Sequence, residues 1–461
     1  MTAVQSLPPE PRGQRLLRQW VGLFALAWPV MLSRAGMLIL FLTGVILVGR
    51  HDTVELAELA LGGSMFSALL VTGIGCMVGI ISTTARQQGA GAKDLPAILL
   101  RGIRWAVLVG GLLSLLVYGS ESLLLLIGHN PDLAAGAGAV ARKLAPGLLF
   151  QVIFVAVSFY LEGTGRMKPG LIAMIAANVV NLALCWLLIG GNLGLPEMGA
   201  EGAAVAGTVA RFALAVGILG WIVTLPEFAP WRGRIDGLWG PGGWAAGAEM
   251  RRIGFAGGAA YFFETAAFAT MAQVAGLIGT TALAAYTILH NIEALVFMSA
   301  LGLSVATSVR VGQAAGAGDA PEARLACGAG VSAAMLMIGL IGLGLLAMAP
   351  TVIGAFSTDP ALVARAAPLV AILAVSMVFD AGQVVLGQST RALGDSWGTT
   401  LVFFVAFWCV MVPVGIVLGF HTDLAEAGLF IATALGCVTA AALLALRFRA
   451  LVARRTGTVT A

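Results

Sequence analysis

Of the 461 residues, 59% are hydrophobic and 10% are charged, and the mean hydropathy is +0.97; ordinary globular chains carry about 25% charged residues. This balance excludes a soluble enzyme, a disordered chain and a fibrous protein, and it leaves a polytopic membrane protein. The net charge of +4 then reads as basic residues flanking membrane spans rather than as a nucleic-acid surface.

A helix needs about 20 mostly apolar residues to cross the bilayer with its backbone hydrogen bonds satisfied. Residues 1–19 form a basic lead-in holding Arg12, Arg15 and Arg18, followed by predicted spans at 20–49, 57–83, 97–119, 134–161, 171–190 and 202–224. Pro29 predicts a kink in the first span. That span is too long for the core of a signal peptide, so it is expected to stay in the mature protein. Basic, Pro/Gly-rich residues 226–252 form a linker to spans at 253–278, 282–308, 322–347, 361–388, 397–419 and 427–447, with a tail at 448–461. The apolar runs are continuous rather than alternating, which excludes a β-barrel. The fold expected is an all-α polytopic membrane protein with 12 transmembrane helices, in lobes at 20–225 and 253–447.

The basic residues support an even number of spans. With the N-terminus inside, twenty of the 26 Lys and Arg fall at inner loops and span ends. Arg50, Arg142, Lys143 and Arg365 fall outside, and Arg34 and Arg211 lie within spans. Both termini are therefore expected in the cytoplasm. The two halves also repeat each other. Gln88-Gly-Ala-Gly-Ala-Lys-Asp94 returns as Gln313-Ala-Ala-Gly-Ala-Gly-Asp319, and Arg166 after the fourth span returns as Arg391 after the tenth. Val140-Ala-Arg142 followed by Pro146 returns as Val363-Ala-Arg365 followed by Pro368. Six spans per half is even, so the halves share one orientation and are related by an axis along the membrane normal, which is carrier architecture.

Several stretches resemble the multidrug and toxic compound extrusion (MATE) family. They include Tyr160-Leu-Glu-Gly-Thr-Gly-Arg-Met-Lys-Pro169, Asn178 and Asn181, and Gly199-Ala-Glu-Gly-Ala-Ala204. In the second half, Phe262-Phe-Glu264, Leu295-Val-Phe-Met298, Ser308-Val-Arg-Val-Gly-Gln313, Asp380-Ala-Gly-Gln383 and Gly387-Gln-Ser-Thr-Arg-Ala-Leu-Gly-Asp395 are similar to the bacterial NorM-type branch. The resemblance runs in order along nearly the whole chain. It implies an antiporter of the bacterial inner membrane that exports amphipathic, usually cationic compounds against entry of Na+ or H+, with no organic cofactor. Many relatives carry an Asp shortly before the Gly-Arg that here is Gly49-Arg50; counting back, that position is Gly44, and no carboxylate replaces it.

The chemistry is expected from carboxylates inside the spans, because a charge at the bilayer centre costs at least ~2.5–3.5 kcal/mol and needs a reason. Glu264 and Glu293 each lie ~16 Å into the seventh and eighth spans, from opposite sides, and Asp380 lies ~12 Å from the inner end of the tenth. In a ~30 Å core all three sit near the midplane, and no Lys or Arg occupies the middle of those spans. Such groups are tolerated when protonated, when bound to a metal cation, or when facing a wet cavity that holds a cationic guest. Glu264 and Asp380 are the expected coupling pair and metal-cation ligands, with Glu293 as a third acid. His290, three residues before Glu293, reads as a hydrogen-bond neighbour.

Expected substrate contacts are Glu264 and Asp380, then Asn178 and Asn181 on one face of the fifth span, Phe262 and Phe263 as aromatic faces, and Arg34. The Asn pair would serve equally as glue between helices; Arg34 would bind an anionic group or an internal acid, or, the reading preferred, bond carbonyls or those Asn residues. The partners expected are a small amphipathic molecule and membrane lipid, with no nucleic acid. Gly75 and Gly79 form a Gly-x-x-x-Gly that chance explains among 61 Gly, so a monomer is expected.

Other classes fit poorly. No Gly-x-x-x-x-Gly-Lys-Ser/Thr is present for an ATP-driven pump, and four scattered His and five isolated Cys give no zinc or disulfide pattern. The alternative reading is a lipid-linked oligosaccharide flippase of the same superfamily, for which Arg34 and Arg211 would supply a basic cavity. A passive channel suits two unlike halves badly.

Overall fold

A computed structural model describes residues 12–128, 130–231, 243–356 and 359–457. Most of the lead-in, the linker residues Arg232 and Arg234, and residues 458–461 of the tail lie outside the described residues. Twelve helices are long and apolar enough to cross a membrane. They are α1 (Leu16–Gly49), α2 (Thr53–Gly89), α3 (Leu95–Tyr118), α4 (Pro131–Gly163), α5 (Lys168–Ile189), α6 (Gly199–Thr224), α7 (Ala245–Ile278), α8 (Thr280–Gly316), α9 (Ala320–Ala347), α10 (Leu369–Ala392), α11 (Trp397–His421) and α12 (Glu426–Arg455).

Helix ends follow local chemistry. Asp52 caps α2 through its bonds to the Val54 and Glu55 amides, and Asp319 caps α9 through the Glu322 amide. Where the sequence predicts one span over 361–388, the chain breaks into a short helix, Pro360–Ala366, and α10. Pro368, which has no N–H to donate, sits at the junction. Its repeat counterpart, Pro146, lies inside an unbroken α4. In α11, residues Val405–Met411 form a π-helical turn just ahead of Pro413, where the ring displaces a helical hydrogen bond.

The helices form two six-helix lobes, α1–α6 and α7–α12, each with its own core. The first is built around Phe66, Phe154, Tyr160 and Leu214, the second around Met271, Leu289, Phe403 and Phe430. Helix α1 changes partner along its length: Leu23 and Ala27 belong to the second core, Val30 and Leu40 to the first. Pro29 lies at the crossover.

The seam between the lobes lies toward the membrane side that carries both termini. Gly75 and Gly257 face each other so closely that a Cβ on Gly75 would lie 2.7 Å from the Gly257 carbonyl oxygen. Gly79 abuts the Met250 carbonyl and Gly254 the Cys76 carbonyl. The repeated segments meet one another: Gly89 abuts the Gln313 carbonyl, and Gly316 the Arg86 carbonyl. Arg86 donates to Glu249 at 2.8 Å, and Gln19 bridges Arg310 and Glu322. Toward the opposite side, glycines pack within their own lobe, as Gly62 does against Ala137 and Gly428 against Leu418.

Candidate functional site

Helix α10 carries the centre of the site. It starts after Pro368 and stops at Gly394, whose φ of +91° favours a residue without a Cβ. Asp380 falls midway along it, buried, with the fully buried Gln383 one turn further on. The Gln383 amide nitrogen donates one hydrogen to Asp380 Oδ1 at 2.9 Å and the other to Glu264 Oε1 at 3.3 Å. One amide thus ties α10 to α7 and holds the two carboxylates together, while its own Oε1 is buried without a donor. Cys437 on α12 also approaches Asp380 Oδ1, at 3.8 Å.

Glu293 on α8 is the third acid of the site, buried like Asp380, whereas Glu264 is half-buried. With Asp380 it lines a narrow cleft, walled otherwise by Val296, Phe297, Ala300, Ile338 and Met377. Its Oε2 lies 3.4 Å from His290 Nδ1, and its Oε1 has no partner. The structure thus joins Glu264 to Asp380 through Gln383, and Asp380 to Glu293 through a shared cleft. Among the described residues, no Lys or Arg forms an ion pair with any of the three.

Two carboxylates and an amide oxygen are hard donors of the kind Na+ prefers, and the carboxylates alone suffice for a proton. Among the described residues no cluster of three or more His, Cys, Asp or Glu could by itself hold a metal ion. An ion passing through would therefore need the buried Gln383 Oε1, or water, to complete its shell. The donor set fits a transported ion rather than a resident metal.

The cations sit elsewhere. Arg391, in the last turn of α10, is buried against the rings of Tyr261 (5.6 Å) and Phe403 (5.2 Å). Tyr261, one turn from Glu264 on α7, accepts a hydrogen bond from Gln388 at 2.8 Å. In the first lobe, Arg34 is held by Glu162 on α4, whose carboxylate oxygens accept from Nη2 at 2.9 and 3.1 Å. That partner is an internal acid, as one of the two readings of Arg34 expected, in place of the preferred carbonyl and Asn bonds, and it neutralises one of the two cations that would suit a pyrophosphate. Arg211 stacks 4.6 Å over Phe66, and its Nε has no acceptor.

The remaining candidates scatter. Asn178 donates to the Gly36 carbonyl at 3.1 Å and Asn181 to the Leu40 carbonyl at 3.0 Å, so both tie α5 to α1. Phe263 packs edge-on against Phe404, and Phe262 stands on the exposed face of α7. Neither ring lines the cleft beside Asp380. Sequence reasoning passed over Gln383 and Glu162. Gln383 had a signal in its spacing, three residues from Asp380, which places both on one helix face. Glu162 had none beyond being a carboxylate near the end of a span.

Two like-oriented six-helix lobes, with acids clustered at the middle of one, define a secondary carrier. The MatE family profile matches residues 29–187 and 258–418, one segment in each lobe, and the chain belongs to the multidrug and toxic compound extrusion family. It is 36% identical over 459 residues to the probable multidrug resistance protein NorM of Caulobacter vibrioides, covering 96% of this chain and 94% of that one. It is 28% identical over 448 residues to the multidrug resistance protein PmpM of Pseudomonas aeruginosa, covering 95% and 93%. The eukaryotic MATE transporter AtDTX14 shares the fold, with a TM-score of 0.84 over 95% of this chain and 99% of that one, at 22% identity.

Proposed function

We propose that the protein is a multidrug antiporter of the bacterial inner membrane, exporting amphipathic cations in exchange for Na+ or H+. The observation that carries this reading is the Gln383-bridged pair of Glu264 and Asp380, which lies midway across the membrane with no ion-paired cation. A carboxylate pair in that position binds either a small ion or a cationic guest, and loading one expels the other. Glu293 extends the negative region on the Asp380 side. Asn178, Asn181 and Arg34 act from the other lobe by setting the position of α1.

The excess of basic residues at the terminal side supports a cytoplasmic placement of that side. The seam there, with Gly62 and Gly428 toward the opposite side packed within their own lobes, fits an arrangement open outward, from which the lobes rock to expose the acids inward. The crevice beside Asp380 is too narrow even for a water molecule, whereas sites for drug-sized ligands hold ~300 Å³ or more, so a guest must be admitted by lobe movement.

The test is efflux of a fluorescent cation from proteoliposomes under an imposed Na+ gradient and, separately, an imposed pH gradient. Exchange should follow one of the two, and Asp380→Asn or Glu264→Gln should abolish it with the protein still folded. Full transport by Asp380→Asn would remove the assignment.

A further inference from the structure

We propose that His290 is the proton-relay residue of this carrier, passing protons between water at its exposed edge and Glu293. The inference rests on the antiport reading above and extends it by naming a route and an ion.

His290 spans a boundary. Its side chain is 41% exposed, whereas that of Glu293, one turn away on the same helix, is 6% exposed. Its Nδ1 stands 3.4 Å from Glu293 Oε2, and the ring is held in place between two aromatic faces. Tyr286 stacks on it at 5.8 Å and 14°, and Phe268 at 5.4 Å and 27°. Tyr286 is itself backed by Phe430 at 5.4 Å, and Phe268 by Phe407 at 6.0 Å. A ring clamped in this way keeps one nitrogen on the buried acid and turns the other edge outward.

The exposed side of α8 here is polar, since Thr287 and Asn291 flank His290 and are both exposed. Polar and ionisable side chains at membrane depth face the protein interior or a water-filled cavity rather than acyl chains. The seam joining the lobes lies at the other end of α8, where Gly316 meets Arg86. His290 therefore stands at the end of α8 away from the seam, with its exposed edge beside the polar stripe of Thr287 and Asn291.

The charged and titratable groups around it leave one destination for a proton. Tyr286 and Glu293 face it from α8, and Asp380 on α10 and Glu264 on α7 lie beyond Glu293. Arg365 of the short helix Pro360–Ala366 and Glu426 of α12 are engaged with each other. Toward the seam, Arg34 of α1, Arg86 of α2 and Arg310 of α8 are engaged with Glu162, Glu249 and Gln19, and Glu322 of α9 accepts from Gln19. In the step itself, Nε2 takes a proton from a hydronium ion, leaving water, and the Nδ1 proton of the resulting imidazolium passes to Glu293 Oε2. This leaves a carboxylic acid and the Nε2–H tautomer of a neutral imidazole, which exchanges back to the Nδ1–H tautomer through water before a second proton passes. Imidazole carries a nitrogen at each edge, one to accept a proton and one to donate, which is what a relay between water and a carboxylate requires.

The test uses the full-length protein in proteoliposomes, with ethidium efflux driven by an imposed pH gradient at a series of external pH values. Wild type should show a rate that titrates with external pH. His290→Gln should lower the proton-driven rate at least tenfold and flatten its pH profile. His290→Ala, with a melting curve matching wild type, should regain rate when imidazole is added outside. A wild-type profile in His290→Gln, or no rescue of a folded His290→Ala, would overturn the relay. Wild-type transport that follows Na+ alone and ignores the pH gradient would also overturn it, leaving antiport intact. Transport by Asp380→Asn equal to wild type would instead remove the antiport reading on which it rests.

Discussion

Replacing Glu162 with Gln should be among the most damaging single changes outside the acid cluster. Arg34 and Glu162 are 4% and 6% exposed in their side chains, and they meet through two hydrogen bonds of 2.9 and 3.1 Å. The Arg34 Nη1 is buried without an acceptor, so this guanidinium depends on that one carboxylate. Its other support is the face of Phe159, at 5.1 Å. Breaking a buried pair from one side costs about 3–5 kcal/mol, because the remaining charge is left uncompensated. At about 1.4 kcal/mol per decade, that is roughly two to nearly four decades in the unfolding equilibrium. Removing both charges, as in Arg34→Met with Glu162→Leu, should cost far less, since a well-packed apolar replacement of a buried pair is often neutral or stabilising. The assay is a double-mutant cycle of denaturation in detergent micelles, reading each single variant, the double variant and wild type. Single variants within about 1 kcal/mol of wild type, or a double variant as damaged as the two singles added together, would refute the reasoning.

Three further outcomes follow from the same coordinates. Gly79→Ala would drive a methyl group into the Met250 carbonyl, so the seam should open. Cys76 beside it should then label faster with a membrane-impermeant thiol reagent from the terminal side, and unchanged labelling would contradict the packing. Gln383→Leu removes both the bridging donor and the amide oxygen that would complete a metal ion's shell, so Na+ affinity should fall by about 1–3 kcal/mol, or roughly five- to 150-fold, whereas proton affinity should rise, because the ionised carboxylates lose a donor. Isothermal titration of the purified protein reads that shift. Arg166→Gln, by contrast, breaks a half-exposed bond to Glu227 and should change stability by no more than about 1 kcal/mol, as a thermal melt would record.

Span number, lobe division and shared orientation were legible in the sequence because the bilayer demands long apolar runs and because the chain repeats itself. The ends were less so. Thr53–Gly89 and Thr280–Gly316 each run several residues beyond the expected 57–83 and 282–308, since a helix continues into water with polar residues that hydropathy cannot count. The break at Pro368 was hidden because the equivalent Pro146 is carried without one. At the site, the three acids were readable from the cost of burying charge. What joins them was not: Gln383 is neutral and carries no such penalty to betray it. Glu162 was overlooked for a related reason, since its partner Arg34 lies 128 positions away and only the packing of α1 on α4 brings them together.

The central claim is that a small ion and a cationic guest compete for the carboxylates held by Gln383. Its most direct measurement is equilibrium binding of a fluorescent amphipathic cation to the purified protein as Na+ is raised, and separately as pH is lowered. The account predicts that the apparent Kd rises with one of the two ions and that Asp380→Asn abolishes the dependence. A Kd unmoved by either ion, with guest and ion bound together, would contradict it.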